Sequence, residues 1–134
     1  MREIKFRGKS NSTGEWLYGD LVKNKDGKLS VVPPIVGIIN LENYEVDENT
    51  IGQFTGLYDY VGKEIYEGDI LEDKKGLRMI VAYNSIIGAF CLDEVSSSDN
   101  ISSGTAYIGC MLEQFPSFNV VGIHTKKRIP INNK

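Results

Sequence analysis

Alternation at a spacing of two, cut at short intervals by glycine, constrains this chain more than any other feature. In the run LRMIVAY, Leu77, Met79, Val81 and Tyr83 fall on one side of an extended chain, and Arg78, Ile80 and Ala82 on the other. Ile86, Gly88, Phe90 and Leu92 repeat the pattern after a tight connection at Asn84-Ser85. Trp16, Tyr18 and Asp20 alternate against Leu17, Gly19 and Leu21, as do Phe118, Val120 and Gly122 against Asn119, Val121 and Ile123. A helix would need a spacing of about 3.6, so each run reads as a strand. Fourteen glycines separate these runs. Asp26-Gly27, Val61-Gly62, Glu67-Gly68 and Lys75-Gly76 read as turns, because glycine takes the backbone that tight turns demand. Pro33-Pro34 ends a strand, since neither residue can donate to a ladder. Many short strands joined by turns give a mainly β fold, a sandwich or a barrel.

Departures from this pattern are few. TAYIGCMLEQF, residues 105–115, offers the one helical face, so the expectation is at most one or two short helices. VSSSDNISSG, residues 95–104, is polar enough to read as a loop. NLENYEVDEN, residues 40–49, is acidic and marks a seam within one 134-residue domain. It divides a β-rich N-terminal lobe, 1–49, from a C-terminal barrel, 50–134.

The chain carries a formal net charge of −3, which argues against a dedicated nucleic-acid binder, because neutralising phosphates takes a basic excess. Two cysteines, Cys91 and Cys110, and one histidine, His124, are too few soft ligands for a standard zinc site. Cys91 lies in an apolar run and reads as a buried, reduced thiol. No run has signal-peptide or bilayer-spanning length, so a cytoplasmic location without membrane contact is expected. His124 reads as a surface residue, because no nucleophile motif accompanies it. No cofactor, metal or catalytic residue is expected.

Three groups of residues invite a functional reading. IYEGDILED clusters acids, and Glu64, Glu67 and Asp69 would be the ligands of a hard cation or an acid/base pair. The spacing is wrong for a calcium loop, and the intervening Ile65, Tyr66 and Ile70 scatter the acids over both faces, so a structural turn is the stronger reading. Arg2, Lys5, Arg7 and Lys9 put a basic face on the first strand; with Lys126, Lys127 and Arg128 they form a candidate patch for an anionic partner. The bland alternative is an edge strand protected by its charges. Trp16, Tyr58 and Tyr60 form a candidate aromatic rim, while Phe54 and Leu57 read as core.

TIGQFTGLYDYVGKEIYEGDIL, residues 50–71, closely resembles the signature of the YopX family, small proteins commonly encoded by bacteriophages and prophages. MREIKFRGKSNSTGEWLYGDL at the start and Asn119-Val120-Val121-Gly122 near the end are similar to that family as well. The chain departs from the family's acidic, proline-containing tail with IHTKKRIPINNK. The resemblance implies a mainly β fold whose C-terminal part is an SH3-like small barrel, and it implies no enzymatic activity. The expected role is a non-enzymatic module of phage or prophage origin acting through an unidentified protein partner, with self-association as a candidate. The alternative is a nucleic-acid-binding accessory protein using the basic strand and tail.

Overall fold

A computed structural model of the chain describes residues 3–34, 37–95, 101–108 and 117–124. The strands are β1 (Phe6–Ser10), β2 (Trp16–Lys23), β3 (Leu29–Val32), β4 (Val46–Tyr58), β5 (Glu64–Tyr66), β6 (Asp69–Glu72), β7 (Arg78–Asn84), β8 (Ala89–Val95), β9 (Ile101–Tyr107) and β10 (Asn119–Ile123). They pair antiparallel in two five-stranded sheets, of order β3-β2-β1-β4-β5 and β10-β6-β7-β8-β9. Strand accounts for 57% of the structure and helix for 5%, so the fold is mainly β. A 3-10 turn, Leu41–Tyr44, lies in the acidic seam, capped by Asn40, whose side chain accepts from Glu42 N at 3.1 Å.

The chain divides into two compact units, one holding Ile4–Gln53 and the other Phe54–His124; the break falls inside β4. In the first unit β1 lies between β2 and β4, and its register against β4 jumps from Arg7↔Gly52 to Lys9↔Asp47. The extra β4 residues bulge outward, held where Lys9 N donates to Thr50 Oγ1 at 2.8 Å. Period two fails at this bulge, and Arg7 and Gly8 are both buried. Gly8 has no room for a side chain, since an added Cβ would lie 2.9 Å from the Cβ of Val46.

In the second unit Ile65, Leu71, Met79, Val81, Leu92, Ile108 and Phe118 form the core, with Leu57, Phe90 and Val120 packed on it. Each such side chain contributes about 1.5–3 kcal/mol by leaving water. The alternation read from the sequence places Met79 and Val81 on the core face. Ile80, on the opposite face, is buried as well.

Three of the hairpin connections share one local design. In Asn24-Lys25-Asp26-Gly27-Lys28, the Asn24 side chain accepts from the amides of Asp26 and Lys28, both at 2.9 Å. Asp59 does the same for Val61 and Lys63, at 3.0 and 2.8 Å, and Asp73 for Lys75 and Leu77, at 2.9 and 2.8 Å. The fourth residue is a glycine with φ of 84°, 91° or 88°, a left-handed backbone that reverses the chain in step with strand twist. The first carboxylate or amide thus satisfies two turn amides that no strand can reach.

Three expectations are corrected here. Thr105, Ala106 and Tyr107 are strand, not helix, and the remainder of the expected helix beyond Ile108 lies outside the described residues. Ser102, Ser103 and Gly104, expected in a loop, also belong to β9, which pairs β8 through Val95↔Ile101, Glu94↔Ser102 and Leu92↔Ala106. Pairing with β8 overrides a composition that has little strand preference of its own. The expected barrel does not close. At the outer edge of β10, the turn 59–63 supplies one backbone bond, Tyr60 N to Phe118 O at 3.0 Å. It supplies one side-chain bond, Val120 N to Asp59 Oδ2 at 3.0 Å, in place of a ladder.

Candidate functional site

The acidic turn is structural. Its residues carry the chain from β5, an edge of one sheet, into β6, inside the other. Asp69 is 0% exposed, and its Oδ2 accepts from Tyr66 N at 2.8 Å across the turn. Gly68 continues β6 in both directions, donating to Val81 O at 2.8 Å and accepting from His124 N at 2.7 Å. The Tyr66 hydroxyl donates to Glu64 Oε1 at 3.0 Å. Among the described residues no three His, Cys, Asp or Glu side chains are grouped so as to hold a metal ion.

The basic face is not assembled as alternation predicts. Arg7 is 3% exposed, and its guanidinium lies 5.2 Å from the centre of the Trp16 ring, a cation–π arrangement within the first unit. Arg7 lies where the β1–β4 register jumps, at the β4 bulge, and in this buried place it offers no charge to an outside partner. Lys5 is half-buried and Lys9 exposed. Arg2, Lys126, Lys127 and Arg128 lie outside the described residues.

Trp16 belongs to the first unit, with its ring against Arg7, whereas Tyr58 and Tyr60 belong to the second. Those two tyrosines are exposed at the end of β4 and on the turn after it. Val61, two residues before the end of that turn, is 74% exposed, and Tyr60 is 61% exposed. Val121, at the bulge of β10 next to the Asp59–Val120 bond, is exposed as well. The result is an apolar corner of Tyr58, Tyr60, Val61 and Val121 on a turn that Asp59 holds by three backbone N–H bonds. The tyrosines are readable as a rim from the sequence. Val61 and Val121 are not, because only the long-range bonds Tyr60 N to Phe118 O and Val120 N to Asp59 Oδ2 show that the turn and β10 are neighbours.

A second apolar corner was not foreseen. Tyr83, Ile86 and Ile87 are all exposed around the β7–β8 connection, with the Tyr83 and Phe90 rings edge-to-face at 5.4 Å. Below it Cys91 is buried and free, as its apolar setting predicts. Burial pushes the Cys91 thiol above its ordinary value, and the charge and hydrogen bond of Asp93 push in the same direction. The folded protein therefore holds this proton where the unfolded chain releases it. The stability that follows is complete below the ordinary thiol value and is lost as pH rises through the folded one. On that account the gap in urea stability between the wild type and Cys91→Ala narrows on the alkaline side, by at most about 1.4 kcal/mol per pH unit. Denaturation curves at pH 8 and pH 10 check it, and a constant gap would refute it.

The first unit has an open groove of about 420 Å³ bordered by Lys28, Glu45, Asp47 and Glu48. None of the described helices is long and apolar enough to cross a membrane. A family model described as YopX protein matches residues 5–124. Comparison with curated proteins returns no match.

Proposed function

The chain belongs to the YopX family, and we propose that it is a non-enzymatic interaction module of phage or prophage origin, working in the bacterial cytoplasm through protein–protein contacts. The observation that carries this reading is the corner made by Tyr58, Tyr60, Val61 and Val121. Single exposed apolar residues are ordinary, but several on a rigid turn, the strand end before it and the strand bonded to it leave apolar area that a partner would remove from water. Tyrosine suits the task, combining a large apolar ring, a polar tip and few rotatable bonds. Because Asp59 already orders the turn, binding there carries little further entropy loss.

Tyr60→Asp and Val61→Asp test the reading, since both change exposed side chains and keep the backbone N–H groups that bond the turn. The expected result is a loss of at least about tenfold in partner affinity or self-association, with an unchanged melting temperature. Matched captures from the host and light scattering supply the measurement. A wild type that is monomeric and captures the same proteins as both variants would overturn the reading.

A further inference from the structure

The β7–β8 corner carries a knob and a hole side by side. Ile86 is 92% exposed and stands at the lip of an open cavity of about 240 Å³. Ala82 and Cys91, directly opposed in the ladder, line it, together with Asn84 and Asp93. The Asn84 side-chain oxygen accepts from the amides of Ile86 and Ile87, at 2.9 and 3.3 Å, and the Asn84 carbonyl from Gly88 N at 2.8 Å. These bonds fix the backbone that presents Ile86, although its side chain packs on little of its own chain.

Charge narrows the occupant first. Asp93 is the one charged residue of the lining, and it is engaged within the chain, where the Cys91 Sγ donates to its Oδ1 at 3.9 Å. The hole therefore asks for no cation. From Met79 to Leu92 the hairpin has no charged residue. A two-fold pair of copies brings a patch against itself, so a charged patch repels its own image and a neutral one does not. Size narrows the occupant next. Small-molecule sites usually occupy about 300 to 1,000 Å³, so this space suits one side chain better than a cofactor. A two-fold contact also needs a patch that is its own complement, and here an unpacked, branched side chain stands next to a space of side-chain size. We propose that two copies of this chain pair through the β7–β8 corner, each seating its Ile86 in the other's cavity against Ala82 and Cys91. Ile87 and the half-exposed Tyr83, whose ring lies edge-to-face on Phe90, frame the contact. The patch is far smaller than the roughly 20–30 residues a side of a stable interface, so the pairing is weak. This extends the interaction reading above but uses a different corner of the unit.

The test needs no other protein. Sedimentation equilibrium of the full-length chain, up to about 1 mM, is expected to show a reversible monomer–dimer equilibrium. In a mixture of ¹³C-methyl-labelled and unlabelled protein, isotope-filtered NOEs should connect the Ile86 methyls of one copy to the Ala82 methyl of the other. Ile86→Ser should weaken pairing by at least about tenfold without lowering the melting temperature. Ala82→Leu fills the hole, leaves the knob intact and should weaken pairing as much. If Ala82→Leu does not fold, Ile86→Ser and the NOEs decide the matter alone. A wild type that stays monomeric, full pairing in Ile86→Ser, or intermolecular NOEs that avoid Ala82 would overturn the proposal. So would a host protein whose capture depends on Ile86 while the wild type forms no dimer, since another occupant would then fill the cavity. The Tyr60 corner fails separately: if Tyr60→Asp keeps its captured proteins while Ile86→Ser loses pairing, the β7–β8 contact stands and that corner does not.

Discussion

Replacing Gly19 with alanine is expected to destabilise the protein by roughly 3 kcal/mol or more. A Cβ at this position would lie 2.0 Å from the carbonyl oxygen of Val32 and 2.6 Å from its carbon, with Pro33 Cα at 2.9 Å. These are backbone atoms at the end of β3, so no rotamer change relieves the clash. The φ of +157° adds strain for any residue with a Cβ. β3 would have to leave β2 at its Asp20↔Val32 end, exposing part of what covers Val31, which is fully buried. Urea denaturation measures the loss, and a change below about 0.5 kcal/mol would show that the strand end yields freely. Gly8→Ala is the informative contrast. Its obstruction is the side chain of Val46, at 2.9 Å, so an expected loss of about 1–3 kcal/mol should shrink in the Gly8→Ala, Val46→Ala pair. No side-chain replacement should rescue Gly19→Ala.

Asp59→Ala and Asp73→Ala remove the same local cap yet should differ several-fold in effect. Both carboxylates accept from the amides two and four residues ahead. Asp73 stands on a solvated hairpin, where water replaces the lost oxygen, and its removal should destabilise by about 0.5–1 kcal/mol. Asp59 is 7% exposed, and its second oxygen accepts from Val120 N, sixty-one residues away. Without it, three amides lose their acceptor at once, one of them on β10, and the expected loss is about 2–4 kcal/mol. Asp59→Asn keeps one acceptor oxygen and should fall between the two. Equal losses at Asp59 and Asp73 would mean that the link to β10 adds nothing. The Tyr60 corner depends on this link, so Asp59→Ala should also weaken partner binding, whereas Asp73→Ala should not.

Much of the fold was legible because its signals are local. Alternation through Met79, Val81 and Tyr83 marks a strand wherever that strand ends up, and Pro33-Pro34 stops β3 at Val32 for want of a donor. Asp69 was readable as a turn residue because its bond to Tyr66 N spans three residues. Arg7 was read on an exposed basic face and Trp16 in an aromatic rim, yet Arg7 is buried against the Trp16 ring beside a bulge. Its cause is an excursion in β4, some forty residues along the chain from Lys9, and no window centred on β1 contains it. The polar run ISSGTAY became strand for a related reason: its partner, β8, supplied the pairing that its own composition does not.

From its residues alone, this chain was bound to be mainly β, with glycine-ended hairpins, and to carry its acids at turns, because backbone conformation and side-chain capping act over a few residues. Which of three near-identical turns becomes a lock was decided only in three dimensions. The Asn24, Asp59 and Asp73 turns follow one pattern, and only Asp59 comes within 3.0 Å of Val120 N. The same holds for the exposed valines of the Tyr60 corner. A surface is defined by which segments meet, and burial of a shared core, not local preference, brings them together.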